Sequence, residues 1–298
     1  MRAVPEISVI VMTCDRPLAV RACLQSLAVQ SFSRERFEVV VVDGSARSRE
    51  CLNEEFGGSL NLNHLILRNA GVAAARNRGV RAAQAPLVAF LDDDCTARPD
   101  WLERMHEVLR SRPHCLIGGT VANGNTENVF AVAGQAIAEA VDDFYNPPGS
   151  DPRFFPGLNL AVWRDLYLSI GGCDEGFGLL AAEDRDFIHR WRVAGYGLTR
   201  CGEAMVRHHH RSSLRGFVRQ YFNYGRGAFH YHRLRRLRRT GMMSEDVRLH
   251  GHLFRYLRRP LARVPPRLRV QVVTLVGLWQ AANLAGFAFQ GVWGRRGS

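Results

Sequence analysis

Residues 86–94 read Pro-Leu-Val-Ala-Phe-Leu-Asp-Asp-Asp, an apolar run that breaks abruptly into three carboxylates. A short run of this kind, bounded by a proline and by charge, is the pattern of a strand buried on both faces and ending at a sheet edge. Working outward, residues 7–12 (ISVIVM) and 37–42 (FEVVVV) have the same β-branched character, and a further strand is expected at 64–67. Between them, residues 18–30 place Val20, Cys23, Leu24 and Leu27 on one helical face, and 71–83 also reads as helix. Strands alternating with helices at short intervals imply an α/β fold, a mostly parallel sheet with helices on both faces. In such sheets ligands gather beyond the carboxyl ends of the strands. Asp15, Asp43 and Asp92 to Asp94 all fall at that edge. Singly, each has an ordinary reading as a turn residue or helix N-cap. Together they read as a site.

The chain has 298 residues and is 46% hydrophobic, enough for a substantial core. Its formal charge of +12 is unevenly spread. Residues 1–200 carry 21 Arg against 25 acids, whereas residues 201–298 carry 19 Arg against 3. A basic third on a mildly acidic domain suggests a surface that meets something anionic. All 40 basic residues are Arg, which excludes Schiff-base chemistry, pyridoxal phosphate attachment and a Walker A lysine. The seven cysteines (Cys14, Cys23, Cys51, Cys95, Cys115, Cys173 and Cys201) are scattered, odd in number and without CxxC spacing. They suit reduced thiols in the cytoplasm rather than a disulfide framework or a zinc site.

Clustered carboxylates at a strand end suit a hard cation such as Mn²⁺ or Mg²⁺, because like charges brought together are costly until a cation offsets them. Downstream, Glu183 and Asp184 open an apolar-periodic segment, where acids also serve ordinary helix capping. His208-His209-His210 follows a β-like stretch whose alternation sets His208 and His210 on one face. Asp92-x-Asp94-x-Thr96 also fits the pattern of haloacid-dehalogenase-like phosphatases, but that chemistry draws on a downstream Lys that the chain lacks.

Several blocks, taken in order, resemble the family 2 glycosyltransferases of the GT-A fold: residues 9–16, 39–45 (VVVVDGS), 69–94 (NAGVAAARNRGVRAAQAPLVAFLDDD), 157–159, 171–177 and 182–186 (AEDRD). The resemblance covers roughly residues 5–230. It implies a GT-A, Rossmann-like α/β domain that transfers a sugar from a nucleotide-diphosphate donor to an acceptor hydroxyl, with inversion. Thr13, Asp15 and Arg16 would belong to the nucleotide loop, Asp43 would contact base or ribose, and Arg76 and Asp93 would lie near the nucleotide. Asp92 and Asp94 would form the DxD pair that holds Mn²⁺ or Mg²⁺, with His208 a further ligand. Cys95 stands where the family's motif often carries another Asp. Asp184, paired with Glu183, would be the general base. A UDP-sugar is the first expectation for the donor, with dTDP- and GDP-sugars open. The acceptor is open among glycan, lipid-linked glycan, peptide and small molecule. A sugar-binding protein on the same fold without turnover is the alternative reading. No nucleic-acid recognition motif is present.

The expected organisation is a catalytic domain at 1–212 and an Arg-rich helical extension at 213–298. Residues 214–239 form an amphipathic stretch filled out with Arg. Residues 270–293 carry no charge but are interrupted by Gln271, Gln280, Asn283 and Gln290, with Trp279, Phe287, Phe289 and Trp293 as interfacial aromatics. Flanked by Arg263, Arg267, Arg269 and Arg295-Arg296, this segment suits a helix lying on an anionic membrane surface at the inner face of the cell membrane. Packing within the protein and spanning the bilayer are the alternatives.

Overall fold

The computed structural model describes residues 4–46, 52–210, 213–241 and 243–294, and of 244–246 the backbone only. Cys51, Arg211, Arg295 and Arg296 therefore lie outside the described residues. The first elements are β1 (Ile7–Thr13), α1 (Pro17–Ala28), β2 (Phe37–Asp43), α2 (Leu52–Phe56), β3 (Leu62–Ile66), α3 (Val72–Ala82) and β4 (Leu87–Asp92). Next come β5 (Cys95–Ala97), α4 (Trp101–Ser111), β6 (Cys115–Asn123), α5 (Val129–Tyr145), β7 (Asn159–Trp163), α6 (Arg164–Ser169), α7 (Glu183–Val193) and β8 (Gly197–His208). The chain ends in α8 (Leu214–Leu237), α9 (Ser244–Gly251), α10 (Leu253–Arg263) and α11 (Arg269–Trp293).

By compactness the chain forms two units. The first is Met1–Ala122, Phe155–Leu179 and Asp184–His208, and the second is Asn123–Phe154, Leu180–Glu183 and His209–Ser298. Compared with a division at 212/213, the second unit also takes in 123–154, and with them α5.

The first unit holds an eight-stranded sheet in the order β3-β2-β1-β4-β7-β6-β8-β5. β1 pairs in parallel with both β2 and β4, and β2 with β3. Every residue of β1 and β2 is buried, which explains their largely apolar runs; the two polar residues inside them, Ser8 and Glu38, bond to each other at 2.5 Å. α1 covers one face with Val20, Cys23, Leu24 and Leu27, as its periodicity implies. The other half of the sheet adds antiparallel pairs to this parallel half. β7 runs antiparallel to β4 and β6, and β5 antiparallel to β8, so the sheet is mixed. β7 therefore enters the sheet at the edge where β4 leaves it, with Leu91 opposite Asn159. Residues 112–180, irregular by sequence, hold β6, α5, β7 and α6. The α5 helix is rich in Ala, and its start is capped by Asn128, whose side chain accepts from the N–H of Phe130 at 3.0 Å and of Ala131 at 3.1 Å.

Two buried asparagines tie the first unit together. Asn159 accepts from the Trp101 indole at 2.9 Å and donates to the carbonyls of Thr120 and Ala204. Asn77, on α3, accepts from the Tyr167 hydroxyl and the Cys173 N–H and donates to Glu175 and the Cys173 carbonyl. A half-satisfied amide in either place would cost about 1–3 kcal/mol.

The second unit is helical. Ala133, Ile137, Phe217, Leu257, Val272 and Trp279 belong to one apolar core built from α5, α8, α10 and α11. α8 and α11 touch backbone to backbone: a Cβ on Gly225 would overlap the Asn283 carbonyl, and one on Gly286 the Phe222 carbonyl. Glycine is required at both places by this approach. α11 buries Val272, Leu275, Val276, Trp279, Ala282 and Gly286. Two of its four amides bond to neighbouring helices, Gln280 to His250 at 2.8 Å and Gln290 to the Arg226 Nε at 3.0 Å, while Gln271 is exposed. Its outer face is apolar, with Val270, Val273, Leu284, Phe289, Val292 and Trp293 exposed. Of the four expected interfacial aromatics, Trp279 is thus core, and Phe287 is half-buried against Phe229.

Candidate active site

Three neighbouring parallel strands end together. In register, Thr13 lies opposite Asp43, and Met12 opposite Asp92. The acids read from sequence are thereby gathered at one sheet edge. Beyond β1 the chain turns at Asp15, which has φ 53°, and its N–H donates to the Ser45 hydroxyl at 2.8 Å. Aspartate tolerates that left-handed backbone better than most side chains. Asp43 is buried. One carboxylate oxygen accepts the Ser45 N–H at 2.8 Å, and the other lies 3.7 Å from His64 Nε2. Ser45 and His64 were not among the expected site residues. An apolar strand gives no sign of which of its side chains will face a neighbouring strand's last acid.

The three consecutive carboxylates have different surroundings. Asp93 is buried, accepts the Thr13 hydroxyl at 2.7 Å and pairs with Arg16 at 2.8 Å. Burial, outweighing Arg16, pushes its carboxyl up to about 6. The same Arg16 Nη1 reaches Asp94 at 2.8 Å. Asp92 keeps 35% of its side chain exposed and lies 3.7 Å from the Arg76 guanidinium. Burial of its inner side raises its carboxyl, with Asp94 adding to the rise and Arg76 opposing it.

Arg76 is itself buried, over the Phe90 ring at 5.7 Å. It lies flat against Gly157, where a Cβ would overlap both of its terminal nitrogens. The Gly157 N–H points the other way, donating to Asp184 at 2.9 Å, and the second oxygen of Asp184 accepts its neighbour's N–H, from Arg185, at 2.8 Å. A continuous line of contacts therefore runs Asp92–Arg76–Gly157–Asp184. Glu183 is buried and falls in the second unit. One turn on in α7, the fully buried Asp186 pairs with Arg190 at 2.8 Å, and Arg190 donates to the carbonyls of Ile170 and Gly172. Asp186→Ala is expected to cost about 3 kcal/mol or more, measurable by urea unfolding, because it strips a desolvated pair of one member.

At the far side of the triplet, β8 ends at His208, whose Nε2 lies 3.3 Å from the outer oxygen of Asp94. Cys95 is directly opposite His208 across the β5–β8 pairing. Donor atoms of Asp94, Cys95 and His208 all lie within 4.8 Å of one another. A carboxylate oxygen, a sulfur and an imidazole nitrogen this close suit a divalent cation. Burial, and after it Asp92 and Asp94, push the Cys95 thiol well above its ordinary value. His209 and His210 lie beyond the strand, in the second unit.

The chain is similar to glycosyltransferase AglE of Haloferax volcanii, 28% identical over 202 residues that make up 65% of this chain and 64% of that protein. It is 27% identical to a glucosyl-dolichyl phosphate glucuronosyltransferase of the same organism over 190 residues, 58% of this chain and 57% of the relative. Among solved structures, the mannosyltransferase PcManGT from Pyrobaculum calidifontis, in complex with GDP-Man and Mn²⁺, superposes with a TM-score of 0.64. That match covers 98% of this chain and 88% of the other at 18% identity. TarS 1–349 of S. aureus in complex with UDP gives a TM-score of 0.53 at 18% identity, over 98% and 92% of the two chains. These likenesses fix a GT-A fold. The model of the glycosyl transferase family 2 matches residues 8–168, more than half of the chain and most of the strands that carry the acidic edge, and the chain belongs to that family.

Proposed function

We propose that this protein transfers a sugar from a nucleotide-diphosphate donor, a UDP-sugar first among them, to an acceptor hydroxyl with inversion, using Asp184 as general base. The observation that carries the reading is the contact line Asp92–Arg76–Gly157–Asp184, which joins the strand-end acids to a carboxylate from downstream in the chain. Asp43, Asp15 and Thr13 form the nucleoside end, where Asp43 accepts from base or ribose. Asp92, Asp94 and His208 would hold Mn²⁺ or Mg²⁺, which when bound offsets charge on the departing diphosphate. Arg16 and Arg76 hold the acids in place and add positive charge beside the phosphates. Asp184, fixed by two backbone N–H groups, takes the acceptor proton as the hydroxyl oxygen attacks the anomeric carbon. Residues 1–212 suffice for these roles in this reading.

The test is donor binding and slow donor hydrolysis across UDP-, dTDP- and GDP-sugars with Mn²⁺, Mg²⁺ or EDTA. The expected result is metal-dependent turnover of one donor. Tight donor binding with no hydrolysis and no transfer to any acceptor would favour the binding-protein alternative.

For location, the same reading puts the protein on the anionic inner face of the cell membrane. Support comes from the inverted polarity of α11, which is also the one helix among the described residues long and apolar enough to cross a bilayer. α11 is zipped along its length to α8, which exposes Arg215, Arg219, Arg233 and Arg236. Carrying those guanidiniums into hydrocarbon is prohibitive, so the pair lies flat. On α10, Phe254 is 81% exposed beside Arg255 and Arg258. Full-length protein is expected to co-sediment with phosphatidylglycerol vesicles at low salt. Replacing Phe254 and Leu284 together by Glu is expected to weaken that binding about tenfold or more. Wild-type protein that stays in the supernatant would overturn the location.

A further inference from the structure

The metal-ligating group that the fold assembles most closely is not the DxD pair. Asp92 faces Arg76, whereas Asp94 has His208 at 3.3 Å and, with it, Cys95. β5 is three residues long, and its register with β8 sets Cys95, Thr96 and Ala97 against His208, Arg207 and Val206. Directly opposite residues of an antiparallel pair project to the same face, about 4.5–5.5 Å apart at Cβ. The sulfur and the imidazole are therefore neighbours by construction of the sheet. Asp94 joins them as the residue before Cys95. Three donors around a tetrahedral ion at about 2.0–2.3 Å stand roughly 3.5 Å apart, so separations within 4.8 Å need only small side-chain adjustments. The thiol is free and fully buried, at the edge of the core beside the acidic triplet.

We propose that Cys95 is a direct ligand of the cation at this site, together with Asp94 and His208, and that the site consequently binds thiophilic divalent ions, Zn²⁺, Co²⁺ and Cd²⁺, more tightly than Mg²⁺ or Mn²⁺. The inference rests on the reading of the strand-end acids as a metal site and deepens it. An oxygen-only set favours hard ions, whereas one sulfur and one imidazole shift the order toward softer ions. On binding, the thiol proton leaves to solvent and the sulfur coordinates as thiolate. Zn²⁺ then competes with Mn²⁺ for a shared set of ligands, so trace zinc sets the fraction of protein that responds to added manganese.

The experiment is titration of the full chain with Co²⁺, reading the sulfur-to-cobalt charge-transfer absorbance and, in parallel, Mn²⁺ binding by electron paramagnetic resonance. Wild type is expected to develop the band, and Zn²⁺ to abolish it at stoichiometric amounts. Cys95→Ser and His208→Ala are each expected to weaken Co²⁺ binding about tenfold or more, with the band lost in Cys95→Ser. Cys14→Ser controls for the exposed thiol at the end of β1 and should keep the band. Circular dichroism checks that Cys95→Ser is folded, and Cys95→Ala serves in its place if it is not. Mn²⁺ binding without any cobalt–sulfur band, or a band unchanged in Cys95→Ser, overturns the role of Cys95 and leaves the metal site standing. Binding of neither ion overturns both.

Discussion

Replacing Asp184 by Asn is expected to slow sugar transfer by about 10²–10⁴-fold while leaving donor binding unchanged. The substitution is nearly isosteric. Its amide oxygen can still accept the Gly157 N–H, so the Gly157 backbone stays seated against Arg76 and the nucleotide end is undisturbed. What disappears is basicity toward the acceptor hydroxyl. The readouts are kcat for transfer and, separately, donor affinity by calorimetry. A fall in kcat at constant donor affinity supports the base. A variant that loses donor binding to the same degree would show that Asp184 serves the architecture of the 157 loop, and the base would have to be sought elsewhere. An unchanged kcat would remove Asp184 from the chemistry altogether.

Asp94→Ala is expected to abolish the metal response and to reduce transfer by about 10³-fold or more, since several kcal/mol of charge stabilisation go with the ion. The stability of the metal-free protein should move the opposite way or not at all. Asp94 is one of three adjacent carboxylates, and the other two, Asp92 and Asp93, are pushed upward by burial and, after it, by the charge of Asp94. Removing a like charge relieves that crowding, and Arg16 keeps Asp93 as a partner. Thermal unfolding with EDTA and with Mn²⁺ separates the two effects: wild type gains stability with Mn²⁺, Asp94→Ala does not. A large loss of stability in EDTA would instead mark Asp94 as a structural anchor for Arg16. Such a result would leave the acidic edge without its principal ligand.

The parallel half of the sheet was legible because its signals are local. β1, β2 and β4 are largely apolar runs, interrupted only by Ser8 and Glu38, each closing on a polar residue, and short helices between them favour parallel pairing. β7 and β8 were not legible as partners. β4 and β7 meet across about 70 residues of chain, and β5 meets β8 across more than 100, distances over which alternation says nothing of register. The neighbourhood of Cys95 and His208 follows only from that register. Asp184 could be singled out by resemblance, but its tie to Arg76 passes through the backbone of Gly157, and a backbone N–H has no signature in a sequence. α11 misled in a different way. The amides that interrupt it do not tell which side is outermost: Gln280 and Gln290 bond to His250 and Arg226, and most of the large side chains left exposed are apolar.

The reversed strand β7 gives the molecule a seam. Everything before Asp92 arrives at the edge on strands that run outward, whereas Gly157 arrives just before a strand that runs back in. The two stretches share no hairpin; they meet along the β4–β7 ladder and, beyond its end, where the Arg76 guanidinium rests on Gly157. In the proposed function, the nucleotide end and Asp184 thus come from separate stretches of chain, and changes on either side are independent only where they spare the ladder and this joint. Descendants of such a chain could exchange acceptors while conserving their donor, and the glycine at 157 would be the last residue on that path to change.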